Sequence, residues 1–138
     1  MKNEIKQIQD LIEQSKSILI TSHENPDGDA LGSTLSLGLG LSKIGKEVTL
    51  YNKDGVPEML EFLPLSENIV KSLNSLLGPF DIAFAVDCTA TSRAGKDFEE
   101  YANSENCKNV VIIDHHQTKG SDADIHLLDE AASSTGIL

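Results

Sequence analysis

Ile18-Leu19-Ile20-Thr21-Ser22-His23-Glu24-Asn25-Pro26-Asp27-Gly28-Asp29 is the stretch that decides the fold of this chain. Residues 18–21 form a short apolar run without polar alternation, as in a strand buried on both faces, and the run gives way to a polar stretch containing Pro and Gly. Similar runs stand at 48–51, 82–86 and 110–113. Helix-length segments separate them, which predicts βαβ units and an α/β domain on a mostly parallel sheet with helices on both faces.

Upstream, Ile5, Ile8 and Ile12 recur at helical spacing with Leu11 beside them, predicting an amphipathic helix over 3–15. Downstream, residues 34–42 fit two periods. Leu35, Leu37, Leu39 and Leu41 alternate with Ser36, Gly38 and Gly40 as in a half-buried strand. Yet Leu31, Leu35 and Leu39 fall on one helical line and Leu37, Leu41 and Ile44 on another. The helix is the expected outcome, because parallel strands at 18–21 and 48–51 need a crossover between them and glycine weakens a strand interior. The small residues would let that helix lie close to the sheet, and Gly45 suits its stop. Residues 131–138 read as a helix beginning, with Ser133 or Ser134 as its cap, so 1–138 is expected to be one partial domain at the front of a longer protein.

The chain has 138 residues, 39% of them hydrophobic, enough for one domain with a core. Its 11 Lys plus Arg against 22 Asp plus Glu give a net charge of −11. That excludes a broad basic surface for duplex nucleic acid, so a phosphorylated ligand must be held locally. Four Phe, two Tyr and no Trp leave few rings on which bases could stack. Cys88 and Cys107 are the only cysteines, and Met1-Lys2-Asn3-Glu4 opens a polar helix instead of a leader, so a reducing cytoplasm is expected. The longest apolar-rich stretch, 30–41, is broken by Gly and Ser and is too short for a bilayer, so no membrane is expected.

Three of the predicted strands run, at their C-terminal ends, into metal-binding residue types: His23 to Asp29, Asp87, and Asp114-His115-His116. In an open parallel sheet the ligand crevice lies outside those ends, so the three clusters should meet. Asp27, Asp29, Asp87 and Asp114 at one rim would repel each other by several kcal/mol unless some were protonated or cations intervened. Two divalent ions resolve the conflict. Gly28 is expected to relieve strain in a Pro-Asp-Gly turn that aims His23, Asp27 and Asp29 one way, and Asp87 to bridge the ions. Mixed imidazole and carboxylate donors favour manganese, with cobalt, iron, zinc or magnesium as substitutes. Such a pair, about 3.5–4 Å apart, suits hydrolysis of a phosphoester. His115 is assigned as a ligand and His116 as the group that touches the phosphate or gives its leaving group a proton.

The segment from His23 to Ser33, the strand-ending Asp87 and Asp114-His115-His116 resemble the first three motifs of the DHH phosphoesterase superfamily. Glu61-Phe62-Leu63-Pro64 and the segment from Asp87 to Gly95 are most similar to its oligoribonuclease and 3'-phosphoadenosine 5'-phosphate phosphatase branch. The resemblance implies a Rossmann-like three-layer DHH domain, truncated before a C-terminal substrate domain and inactive alone. It puts His23, Asp27 and Asp87 on one metal and Asp29, Asp87 and His115 on the other, with His116 near the scissile phosphate and Asp114 orienting a ligand histidine. The implied reaction is hydrolysis of very short single-stranded RNA or a small nucleotide by water activated between two manganese ions; a homodimer stays open. Alternatives are a pyrophosphatase, a cyclic-dinucleotide phosphodiesterase and a non-catalytic metal or nucleotide-binding module. The superfamily's fourth-motif aspartate lies beyond this chain; Asp122, Asp124 and Asp129 could replace it, but a solvated loop explains them better.

Plainer readings stand beside these. Asn-Pro-Asp-Gly is often only a turn, and a strand-end histidine can simply bond a carbonyl. Arg93 fits a surface ion pair as well as a phosphate contact, Cys88 reads as a small buried side chain, and His126 as structural.

Overall fold

The computed structural model describes residues 1–118 and 122–138. Helix α1 (Lys2–Gln14) leads into β1 (Ser17–Ser22), α2 (Gly28–Lys43) and β2 (Glu47–Tyr51). Then come β3 (Ile69–Val70), β4 (Ile82–Val86), α3 (Lys96–Ala102), β5 (Val110–Asp114) and β6 (Ile125–Leu128), with short 3-10 turns between. The six strands form one sheet in the order β3-β2-β1-β4-β5-β6, and every pairing is parallel. The chain builds outward from β1 on one side and then returns to build outward from β4 on the other. The C-terminal ends of β1 and β4 therefore flank the point where strand order reverses, where such sheets leave a crevice.

The period of two explains why the strands read as continuous apolar runs. Leu19, Ala83, Ala85, Val110 and Ile112 share one core cluster with Phe98 and Ala102 of α3. Their neighbours Ile18, Ile20, Ile82, Phe84, Val86 and Val111 share the other with Ile8 of α1 and Leu35 and Leu41 of α2. Successive residues point to opposite faces and both faces are covered, which makes three layers.

Helix α2 settles the ambiguous leucine alternation. It starts earlier than its leucines suggest, because the Asp27 carboxylate accepts the Ala30 amide at 3.0 Å and caps it. A Cβ on Gly38 would come within 2.8 Å of Leu50 Cδ2, so this glycine lets the helix press on the sheet, whereas Gly40 faces open space. Gly45, at φ +84°, ends the helix with its amide on Ser42 O at 3.0 Å. Strands β3 and β6 are additions to the sequence reading: the first is two residues long, and the second carries His126 mid-strand, so neither shows an apolar run. No helix among the described residues is long and apolar enough to cross a membrane.

At the opposite end of the sheet, Asp81 ties β1 to β4. Its Oδ2 accepts the amides of Lys16 at 2.8 Å and Ser17 at 3.1 Å, and its Oδ1 pairs with Lys108 Nζ at 2.7 Å. The Lys108 ammonium first, then those amides, hold its carboxyl well below the usual range. A depressed pKa stabilises the fold above the ordinary carboxylate value and ceases to do so as pH falls through the folded one. Asp81→Ala is expected to cost about 1 kcal/mol at pH 7, allowing for solvent screening. Urea unfolding at falling pH checks this: the gap to wild type should narrow below pH about 4, and an unchanged gap contradicts it.

Candidate metal centre

Each strand delivers its side chain through a backbone held by long-range hydrogen bonds. After β1, the buried Asn52 donates from Nδ2 to Ser22 Oγ at 3.1 Å and to His23 O at 3.0 Å. The Glu24 amide bonds Arg93 O at 2.8 Å, and the Asn25 amide bonds Asp54 Oδ2 at 2.7 Å. The strained residue of this loop is Asn25, at φ 48°, not Gly28, which is simply the first residue of α2. After β4, Asp87 sits at φ 57° with its amide on Ile113 O at 2.8 Å. A left-handed non-glycine residue at a strand end costs energy, and such outliers gather at functional sites.

These loops bring the predicted residues together. His23 Nε2 lies 3.5 Å from Asp87 Oδ2 and 3.9 Å from Asp27 Oδ1. His115 Nε2 lies 3.6 Å from Asp87 Oδ1 and 3.4 Å from Asp29 Oδ2. The two oxygens of Asp87 thus face two different imidazoles. His23 Nδ1 is 2.6 Å from Glu24 O and His115 Nδ1 is 3.2 Å from Ala132 O. Those contacts assign a proton to Nδ1 of each ring and turn Nε2 toward the carboxylates. Imidazole nitrogens and carboxylate oxygens gathered at these distances are donors of the types that hold a divalent metal.

Burial pushes the Asp87 carboxyl above its ordinary value, and the Asp29 charge adds to this against a hydrogen bond from Thr135. His116 differs from the other two histidines. Its Nδ1 is 2.8 Å from Asp114 Oδ1 and 3.7 Å from Asp87 Oδ1, and its side chain is 51% exposed. The hydrogen bond to Asp114 raises its proton affinity. Asp114 therefore bonds His116, while the partner of His115 is a backbone carbonyl. By distance, Asp87, His115 and His116 form one potential donor group and His23, Asp27 and Asp87 another.

Sequence reading missed two contributors, Asn52 and Thr135. Thr135 Oγ1 donates to Asp87 Oδ1 at 2.8 Å, while the amides of Thr135 and Gly136 donate to Asp29 at 2.9 and 3.0 Å. The expected serine cap is absent: Ser134 occupies the cap position of the 3-10 turn Thr135–Ile137 without a side-chain bond, and Asp29 caps it instead. The sole local signal was a run of Ser, Thr and Gly. Asp122 and Asp124 are exposed, and each also accepts an amide, that of Thr91 at 3.0 Å and that of Val110 at 2.7 Å. Asp129 Oδ1 accepts the Ala131 amide at 3.0 Å. Arg93 is exposed and makes no ion pair among the described residues. Cys88 is fully buried, with its thiol pKa pushed up by burial.

Residues 17–138 match the sequence profile of the DHH family, N-terminal domain. The chain is 34% identical over 119 residues to the bifunctional oligoribonuclease and PAP phosphatase NrnA of Thermus thermophilus, across 86% of this chain and 33% of that protein. It is also similar to the crystal structure of an exopolyphosphatase-related protein from Bacteroides fragilis, with TM-score 0.88 and 27% identity, covering 98% of this chain and 41% of that one. The chain thus spans about a third of the length of the first and two-fifths of the second.

Proposed function

The chain belongs to the DHH family, and from that premise we propose that it is the catalytic domain of a manganese-dependent phosphoesterase acting on very short RNA or 3'-phosphoadenosine 5'-phosphate. One observation carries the reading: the buried Asp87 offers one oxygen to His23 at 3.5 Å and the other to His115 at 3.6 Å. A carboxylate so placed is suited to be shared by two ions. His23, Asp27 and Asp87 would hold the first and Asp29, Asp87 and His115 the second. The similarity to the Thermus NrnA supports the substrate class.

Two such ions supply Lewis acidity and make water a better nucleophile near neutral pH. The chain's own residues do the rest. Glu24 O and Ala132 O fix the ring orientation of His23 and His115. Asp114 keeps the Nδ1 proton of His116 in place, so that Nε2 is the atom free to donate to a phosphate oxygen or to the leaving group. With a net charge of −11 the surface disfavours duplexes, and the substrate is a small single-stranded or mononucleotide anion drawn to the centre itself. The cysteines are free, in keeping with a cytoplasmic setting. Residues 1–138 act as one domain beside a second, substrate-binding one. The greater lengths of the two relatives support the second domain.

Hydrolysis by the full-length protein carrying these residues tests the reading. Dinucleotides to pentanucleotides and 3'-phosphoadenosine 5'-phosphate should release mononucleotides and phosphate with manganese present and not after chelation. Phosphate release from pyrophosphate or polyphosphate, with none from nucleotides, would replace this function with a pyrophosphatase or polyphosphatase. Manganese binding without turnover of any of them would leave a binding module.

A further inference from the structure

We propose that Thr135 is a positioning residue for the second ion: its hydroxyl and the turn it opens preset Asp87 and Asp29 in front of His115. This rests on the two-ion reading and goes beyond it, because Thr135 would touch neither metal nor substrate. Three donors on two consecutive residues converge on the two carboxylates: Thr135 Oγ1 on Asp87 Oδ1, and the Thr135 and Gly136 amides on the two oxygens of Asp29. Thr135 and Asp87 are buried, so their bond is shielded from competing water.

The arrangement is one-sided. Among the described residues, the side-chain hydrogen bond to Asp87 goes to Oδ1, the oxygen 3.6 Å from His115 Nε2, and Oδ2 on the His23 side receives none. A carboxylate oxygen has two lone-pair directions, and the hydroxyl takes one of Oδ1's and leaves the other for an ion. The Asp29 carboxylate is fixed by the two amides in the same way. Loss of the hydroxyl should therefore weaken the His115-side ion and largely spare the His23-side ion.

A residue that merely anchored the turn would work through its methyl group. Valine keeps that shape and removes the donor, whereas serine keeps the donor and removes the methyl group, so the two roles predict opposite orders. Manganese binding by titration calorimetry, with electron paramagnetic resonance of the bound ions, compares the full-length protein with its Thr135→Val and Thr135→Ser variants. In Thr135→Val, one affinity is expected to fall about 10–100-fold while the other stays within about threefold, and the spectrum of a spin-coupled pair is lost at wild-type loading. Thr135→Ser should retain both affinities and the coupled spectrum. Two affinities kept by valine, equal losses at both positions, or a loss in serine that valine does not share would overturn the inference while leaving the two-ion reading intact. A wild-type full-length protein that binds no manganese overturns both. Should valine prevent folding, as judged by circular dichroism in chelator, serine still decides: retained pairing supports the hydroxyl's role and lost pairing overturns it.

Discussion

Asp87→Asn is expected to lower manganese affinity by more than about 100-fold at both positions, beyond the effect of removing an outer partner of a ligand, and to abolish turnover with it. Asp87 is the one side chain common to both donor groups. Asparagine tolerates the φ of 57° that position 87 requires, and it still offers an oxygen to the Thr135 hydroxyl, so the variant removes charge with little change of backbone. Stability should then change sign with metal. In chelator, burial raises the carboxyl pKa of Asp87 in the fold above its unfolded value, so the folded state binds more protons and the wild type loses stability as pH rises through that window. At pH 7 without metal the asparagine chain should therefore be at least as stable as wild type. With manganese at 100 times the dissociation constant, wild type gains about 2.7 kcal/mol for each ion bound, which the variant does not. Thermal melts with and without manganese read this crossing, and a variant less stable than wild type in both conditions would contradict it.

The second large effect separates chemistry from binding. His116→Ala should reduce kcat by about 10²–10⁴-fold while both ions stay bound. The reasons lie in the exposure and pairing of the ring: the His116 side chain is 51% exposed, against 14% for His23 and 20% for His115, and its Nδ1 is committed to Asp114. Because Asp87, His115 and His116 also lie close enough to share an ion, manganese stoichiometry is the discriminating measurement. Loss of one ion in His116→Ala would make His116 a ligand. Asp114→Asn adds a pH test. The hydrogen bond to Asp114 is the main cause of the raised His116 pKa, so its removal lowers that pKa. The limb of the pH–rate profile on which activity falls with deprotonation should then move to lower pH in the variant.

Much of this centre was legible before any coordinates, for one physical reason. Parallel strands in one sheet point their C-terminal ends the same way, so His23, Asp87 and His115, each just beyond an apolar run, had to share a rim. What remained hidden was pairing that has no period. Asp114 lies two residues from His116 and one from His115, and only the backbone path decided which ring it bonds. Asn52, 29 residues from His23, holds that residue's carbonyl, yet in sequence it is an ordinary polar residue after a strand.

The sequence by itself determined the layered α/β fold, the rim at which the candidate ligands meet and the donor types gathered there, because burial on both faces and strand direction leave local, periodic marks. Tertiary structure alone decided the strand order, the splitting of Asp87's oxygens between two histidines and the return of Thr135 and Gly136 to carboxylates 48 and 107 residues away. Those contacts depend on where the chain comes back after the sheet has formed, and no local pattern of residues encodes that return.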